Sequence, residues 1–208
     1  MIGILKALFV RGLLVAAAGW ALFQVFFLEE WPARDFRQEL AVSGKLHADE
    51  ELWVEVALQR MVLEVHQGEE VLLRCDIGYG KGPIGRSGSE AGTPLGEYRV
   101  MARERRTSVF GRGARFLRLD YPSEQDADAA LTGGQITPDD WQRIQQAHAT
   151  GAAPPVDTPL GGPIGIQGNL FAFSGRCFTD GSVALDNGDL VALFDLIPAG
   201  TRVLINDR

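Results

Sequence analysis

The side chains best suited to nucleophilic or metal chemistry are few in this chain of 208 residues: two thiols, Cys75 and Cys177, and three imidazoles, His47, His66 and His148. A metal centre that can be read from sequence has its ligands at short, paired intervals. These five are scattered, so neither a zinc site nor any other metal or cofactor is expected. The two cysteines fit either a disulfide in an oxidising compartment or two buried thiols. GKGPIG, Gly80 to Gly85, is rich in glycine but lacks the GKS or GKT ending of a phosphate loop. Lys81, Arg86, Arg103, Arg105, Arg106, Arg112, Arg115 and Arg118 gather positive charge in a chain that is acidic elsewhere. They could attract carboxylates of a ligand or simply balance acidic neighbours. Lys+Arg 20 against Asp+Glu 27 leaves a net charge of -7, which argues against a protein that tracks nucleic-acid phosphates.

The elements that must position such groups follow from patterning. Gly12 to Leu28, GLLVAAAGWALFQVFFL, is seventeen residues with Gln24 as the only strongly polar side chain, long enough to span a hydrocarbon core. Lys6 and Arg11 precede it and Glu29 and Glu30 follow. The reading is therefore a single-pass anchor in the cytoplasmic membrane, with the N-terminus inside and the remainder extracytoplasmic, periplasmic where there is an outer membrane. A cleaved signal peptide fits less well, because Ala16 to Ala18 come too early and Trp31 and Ala33 make a poor cleavage site.

Residues 1–28 are thus expected to form the anchor, 29–51 a polar juxtamembrane linker and 52–208 one folded domain. The domain opens with LWVEVALQRMVLEV and HQGEEVLLRCDIGYG, read as strands turning at Gln67 to Glu69. GTPLGEYRVMARE and FLRLDYP continue the β pattern. Ser123 to Leu131 and Thr137 to His148 then switch to a helical period, the second with Thr137 as N-cap and Pro138 at the first helical position. IGIQG and GSVAL return to strands, Asn187 to Ile197 reads as an amphipathic helix, and TRVLI closes as a strand. The expected fold is mainly β with inserted helices, preceded by one transmembrane helix.

Four blocks in order, GTPLGEY (Gly92 to Tyr98), RLDYPSEQDA around Tyr121 and Pro122, TPLGGPIGIQG (Thr158 to Gly168) and TDGSVALDNGDLVALFDLIPAGTRVLI (Thr179 to Ile205), resemble the L,D-transpeptidase (YkuD-like) family, in particular its branch with a helical insertion before the catalytic motif. The resemblance implies a β-sandwich-like domain acting on peptidoglycan stem peptides by acyl transfer through a cysteine thioester. It places the family's histidine at Gln167, in IGIQG, and its cysteine at Ser182, in DGSVAL. Ala184 stands where many members carry arginine. Gly168, Gly181 and Thr179 flank the two degenerate positions and would line the substrate cleft.

Those two residues change the chemistry. A cysteine thiol beside an imidazole ionises near neutral pH, whereas a serine hydroxyl needs a positioned base, and the Gln167 amide has no basic nitrogen. Asp180, two residues before Ser182, is the nearest carboxylate in sequence. It could serve as a base or belong to a polar turn completed by Gly181. Cys177 lies five residues before Ser182, outside the motif, and reads as a buried or loop thiol. The expectation is a membrane-anchored, non-catalytic relative that binds stem peptides or a cell-wall enzyme, with no cofactor. A serine-dependent acyltransferase or hydrolase and a structural envelope scaffold are the competing readings.

Overall fold

The computed structural model describes residues 40, 46, 47, 50–105, 115–168 and 179–208. These belong to the second of two units into which the chain divides, Pro32–Arg208. The apolar run 12–28, most of the linker, Arg106, Arg112 and Cys177 lie outside the described residues. Among the described residues, no helix is long and apolar enough to cross a membrane.

Among the described residues, eight strands and three α-helices follow one another as β1 (Leu52–Ala57), β2 (Val62–Gln67), β3 (Glu70–Asp76), β4 (Gly96–Arg105), β5 (Arg115–Leu119), α1 (Glu124–Thr132), α2 (Pro138–Thr150), β6 (Gly165–Gly168), β7 (Val183–Leu185), α3 (Asn187–Leu196) and β8 (Arg202–Asn206). The strands join in one sheet in the order β3-β2-β1-β8-β4-β5-β6-β7. Strand β4 links its halves: Gly96 to Arg99 pair with β8, and Val100 to Arg105 pair with β5. A register shift between Val100 and Ala102 marks the change of partner. Such irregularities bend a strand, and here one core is filled from both halves, by Val54, Val56, Leu63 and Val65 on one and Leu117, Ile166 and Val183 on the other.

Alternation explains which side chains reach that core. Val54 and Val56 of β1 are fully buried while Trp53 and Glu55 leave the opposite face. The hairpin expected at Gln67 to Glu69 is present, but the run before it is two strands. The chain turns at Leu58 to Met61, where Met61 has φ 55° and its N–H bonds the Leu58 carbonyl at 3.1 Å. No glycine, proline, asparagine or aspartate announces this turn in the sequence, which is why alternation alone ran through it.

Helices α1 and α2 lie between β5 and β6, each opened by a capping box. Ser123 and Asp126 exchange hydrogen bonds at the start of α1, and Thr137 and Asp140 at the start of α2, with Pro138 in the first turn. Ala127, Ala130, Ile136 and Ile144 form a small second core between them. The Tyr98 hydroxyl in β4 donates to Asp126 at 3.3 Å, tying the pair to the sheet.

Helix α3 differs from expectation. Leu190, Val191, Ala192, Leu193, Phe194 and Leu196 are all buried, so it is covered on more than one side and is not a surface amphipathic helix. It packs on β5 and β6, and each large side chain it buries contributes roughly 1.5–3 kcal/mol.

Two glycine-rich segments, 78–85 and 91–96, press together closely enough to exclude side chains. A Cβ on Gly92 would lie 1.9 Å from the Pro83 carbonyl oxygen and 2.3 Å from that of Arg86. Both obstacles are backbone and cannot rotate away. Gly92→Ala should therefore destabilise the domain by more than Thr137→Ala, which removes only a helix cap and costs about 1 kcal/mol. Urea denaturation of the two variants against the parent protein measures the order.

Candidate functional site

The short parallel pair β6–β7 sets the geometry of the candidate cleft. Ile166 stands beside Val183, Gln167 beside Ala184 and Gly168 beside Leu185. One step earlier the Gly165 N–H donates to Ser182 Oγ at 3.3 Å. Gly165 and Gln167 are two residues apart on β6, so the Gln167 side chain leaves the same face of the sheet as the position opposite Ser182. Gln167 is half-buried, Gly168 buried, and Ser182 7% exposed.

The turn from Thr179 to Ser182 is closed by the Thr179 hydroxyl, which donates to the Ser182 carbonyl. Gly181 occupies φ 113°, and a Cβ there would meet Ile164 Cδ1 at 2.7 Å and the Gly92 carbonyl oxygen at 3.0 Å. Segment 78–85 covers the other side. Gly78 and Ala184 exchange hydrogen bonds of 2.8 Å each, the Lys81 N–H donates to the Thr179 carbonyl at 3.1 Å, and the Gly80 N–H donates to the buried Thr93 hydroxyl at 2.8 Å. Gly80 and Gly82 of GKGPIG thus serve close packing, since a Cβ would lie 2.4 Å from the Ala91 oxygen and 1.7 Å from the Glu90 oxygen. Their spacing showed the absence of a phosphate loop; their role needed the tertiary contact.

Asp180 and Ser182 part company. Asp180 is mostly exposed and its carboxylate pairs with Lys81 Nζ at 2.6 Å, while Ser182 turns inward to the β6 backbone. Among the described residues, no histidine or lysine side chain is hydrogen-bonded to the Ser182 hydroxyl. His148 Nε2 instead contacts the Pro122 carbonyl at 2.8 Å, and His66 sits on β2 in the other half of the sheet. Lys81 reaches this turn, whereas Arg86, Arg118, Arg103 and Arg115 are engaged with other groups. Arg86 pairs with Glu90 at 3.6 Å and Arg118 with Glu104 at 4.0 Å. Arg103 donates to the Phe194 carbonyl at 2.6 Å, and Arg115 lies over the Phe194 ring. These placements favour charge balance over a carboxylate-binding patch.

The family model for the YkuD L,D-transpeptidase catalytic domain matches residues 49–205. The chain belongs to the L,D-transpeptidase catalytic domain family. Among solved structures, the L,D-transpeptidase-like fold compares with the helical cell shape determining protein Pgp2 from Campylobacter jejuni at a TM-score of 0.52 and 15% identity, over 78% of this chain and 50% of that one. Bdellovibrio bacteriovorus Bd1075 gives a TM-score of 0.51 at 19% identity, over 76% of this chain and 49% of that one. An L,D-transpeptidase from Xylanimonas cellulosilytica gives 0.46 at 15% identity, over 82% and 69%. The chain spans about half the length of the Campylobacter and Bdellovibrio proteins. No curated protein matches it.

One thiol of this L,D-transpeptidase domain is described, and it is inert by environment. Cys75 on β3 is free and buried. Burial pushes its pKa up, and the charges of Asp189, Asp76 and Asp186 push further, to about 12. At pH 8 almost no thiolate forms, and the sulfur is shielded as well. Iodoacetamide at pH 8 should leave Cys75 unmodified in the folded protein and label it fully in denaturant, as read by peptide mass mapping.

Proposed function

We propose that this protein is a membrane-anchored, extracytoplasmic L,D-transpeptidase-like component of the bacterial cell envelope that has lost the family's chemistry and binds peptidoglycan stem peptides, or a cell-wall enzyme, through the inherited cleft. The supporting observation is the setting of Ser182: a buried hydroxyl held by the Gly165 backbone, with Gln167 on the neighbouring strand and Asp180 turned out to Lys81. In this reading Ser182 and Gln167 replace the family's thiol and imidazole, and helices α1 and α2 are its helical insertion.

The chemical argument is one of proton affinity. Attack on a stem-peptide carbonyl requires the serine proton to leave as the new bond forms, and an amide cannot take it. Losing a nucleophile and its base together costs on the order of 10⁴ to 10⁶ in rate in acyl-transfer enzymes. Binding is not lost with chemistry. Gln167, half-buried, both donates and accepts hydrogen bonds, and the buried Thr179, Gly181 and Gly168 hold the backbone beside it in place. Lys81 and Asp180 at the rim would meet its charged ends. The apolar segment Gly12 to Leu28 supplies the anchor.

Restoring both groups tests the reading. The full chain carrying Gln167→His and Ser182→Cys together should gain measurable transpeptidase or carboxypeptidase activity on a stem tetrapeptide, followed by chromatography of the products, while each single variant gains far less. A folded double variant that stays inert contradicts the inherited cleft.

A further inference from the structure

On the outer face of the opposite half of the sheet, two carboxylates and an imidazole meet at a point that the cleft does not use. Glu55 of β1 and Glu64 of β2 are direct cross-strand partners, and His66 follows Glu64 by two residues on the same face. Like charges placed directly opposite each other destabilise a strand pair, and a cation between their facing oxygens would relieve it. His66 is only 8% exposed and its Nε2 has no hydrogen-bond partner. That nitrogen points between the two acids, 3.7 Å from Glu55 Oε2 and 3.8 Å from Glu64 Oε2.

The other oxygen of each carboxylate is already held. Glu64 Oε1 accepts from Arg74 Nε at 2.7 Å and from Arg60 at 3.2 Å, and Glu55 Oε1 accepts from Asn206 Nδ2 at 2.8 Å. Each acid therefore presents its Oε2 to Nε2. The imidazole plane is fixed by Trp53, which stacks on it at 4.1 Å and 15°. Supporting contacts of this kind orient the ligands of metal centres.

We propose that Glu55, Glu64 and His66 bind one divalent transition-metal cation, zinc foremost, with the remaining position left to water. All three ligand atoms lie within 4.8 Å of one another. Tetrahedral zinc with bonds of about 2.0–2.2 Å sets its ligands roughly 3.4 Å apart, so Nε2 and each Oε2 must close by about 0.3–0.4 Å, and the two carboxylates, within 4.8 Å of each other, by up to about 1.4 Å. A nitrogen ligand with two carboxylates suits zinc and its neighbours and disfavours magnesium and calcium, which take oxygen. Arg60 and Arg74 lower the net negative charge, which weakens the site relative to bare carboxylates while keeping Glu64 oriented. Short-range spacing could not disclose it, since Glu55 and the other two are joined only by strand pairing. The proposal departs from the expectation of no metal site, which rested on the scattered cysteines and histidines.

The full chain, stripped with chelator, incubated with zinc sulfate or magnesium chloride and passed through gel filtration, is analysed for metal by mass spectrometry. One zinc per chain and no retained magnesium are expected. His66→Gln and Glu55→Gln should each weaken zinc binding by about tenfold or more in calorimetric titration. The double variant His47→Gln, His148→Gln should bind as the parent does. Zinc should raise the unfolding temperature of the parent and not of Glu55→Gln, a partly exposed position that carries the test if His66→Gln fails to fold. Absence of stoichiometric zinc, or uptake unchanged in Glu55→Gln, overturns the proposal.

Discussion

The hydrogen bond from the Gly165 N–H to Ser182 Oγ, made beside the parallel pair β6–β7, fixes where that hydroxyl sits. Strand β7 has only three residues and cannot hold its position alone. It is braced on one side by β6 and on the other by Gly78, which bonds Ala184 in both directions. Those braces need backbones in close contact. Glycines at 92 and 181 leave room where any Cβ would strike a carbonyl or Ile164. The positions of Ser182 and Gln167 are therefore properties of the packed loops and sheet together.

From that constraint the chemistry follows. An oxygen nucleophile is activated by a base that can accept its proton at the moment of attack. The hydroxyl here is engaged by a backbone donor, and the nearest carboxylate in sequence is spent on Lys81 at the exposed rim. On the proposed reading, a domain with the family's fold and this polar turn keeps a surface for peptide without the means to break a bond.

Much of the fold was legible because local rules and tertiary structure agree. The boxes at Ser123 and Thr137 opened helices where the sequence said they would, and alternation located β4, β5 and β8. The Leu58 to Met61 turn was missed because Met61 takes a left-handed conformation with no residue type to signal it. Helix α3 was misread as amphipathic because its apolar residues face neighbours on several sides, which periodicity within one helix cannot reveal. Ser182 and Gln167 were singled out through motif order, and strand pairing sets Gln167 beside Ala184, two residues after Ser182. The Lys81–Asp180 pair, 99 residues apart, and the Glu55, Glu64 and His66 junction needed the sheet to be assembled.

Covalent capture reads whether Ser182 can attack a carbonyl. Intact-mass analysis of the full chain after incubation with a carbapenem, and separately with a stem tetrapeptide, should show only the unmodified protein. A stable adduct that maps to Ser182 and disappears in Ser182→Ala would contradict the account and make the protein an active serine acyl-transfer enzyme.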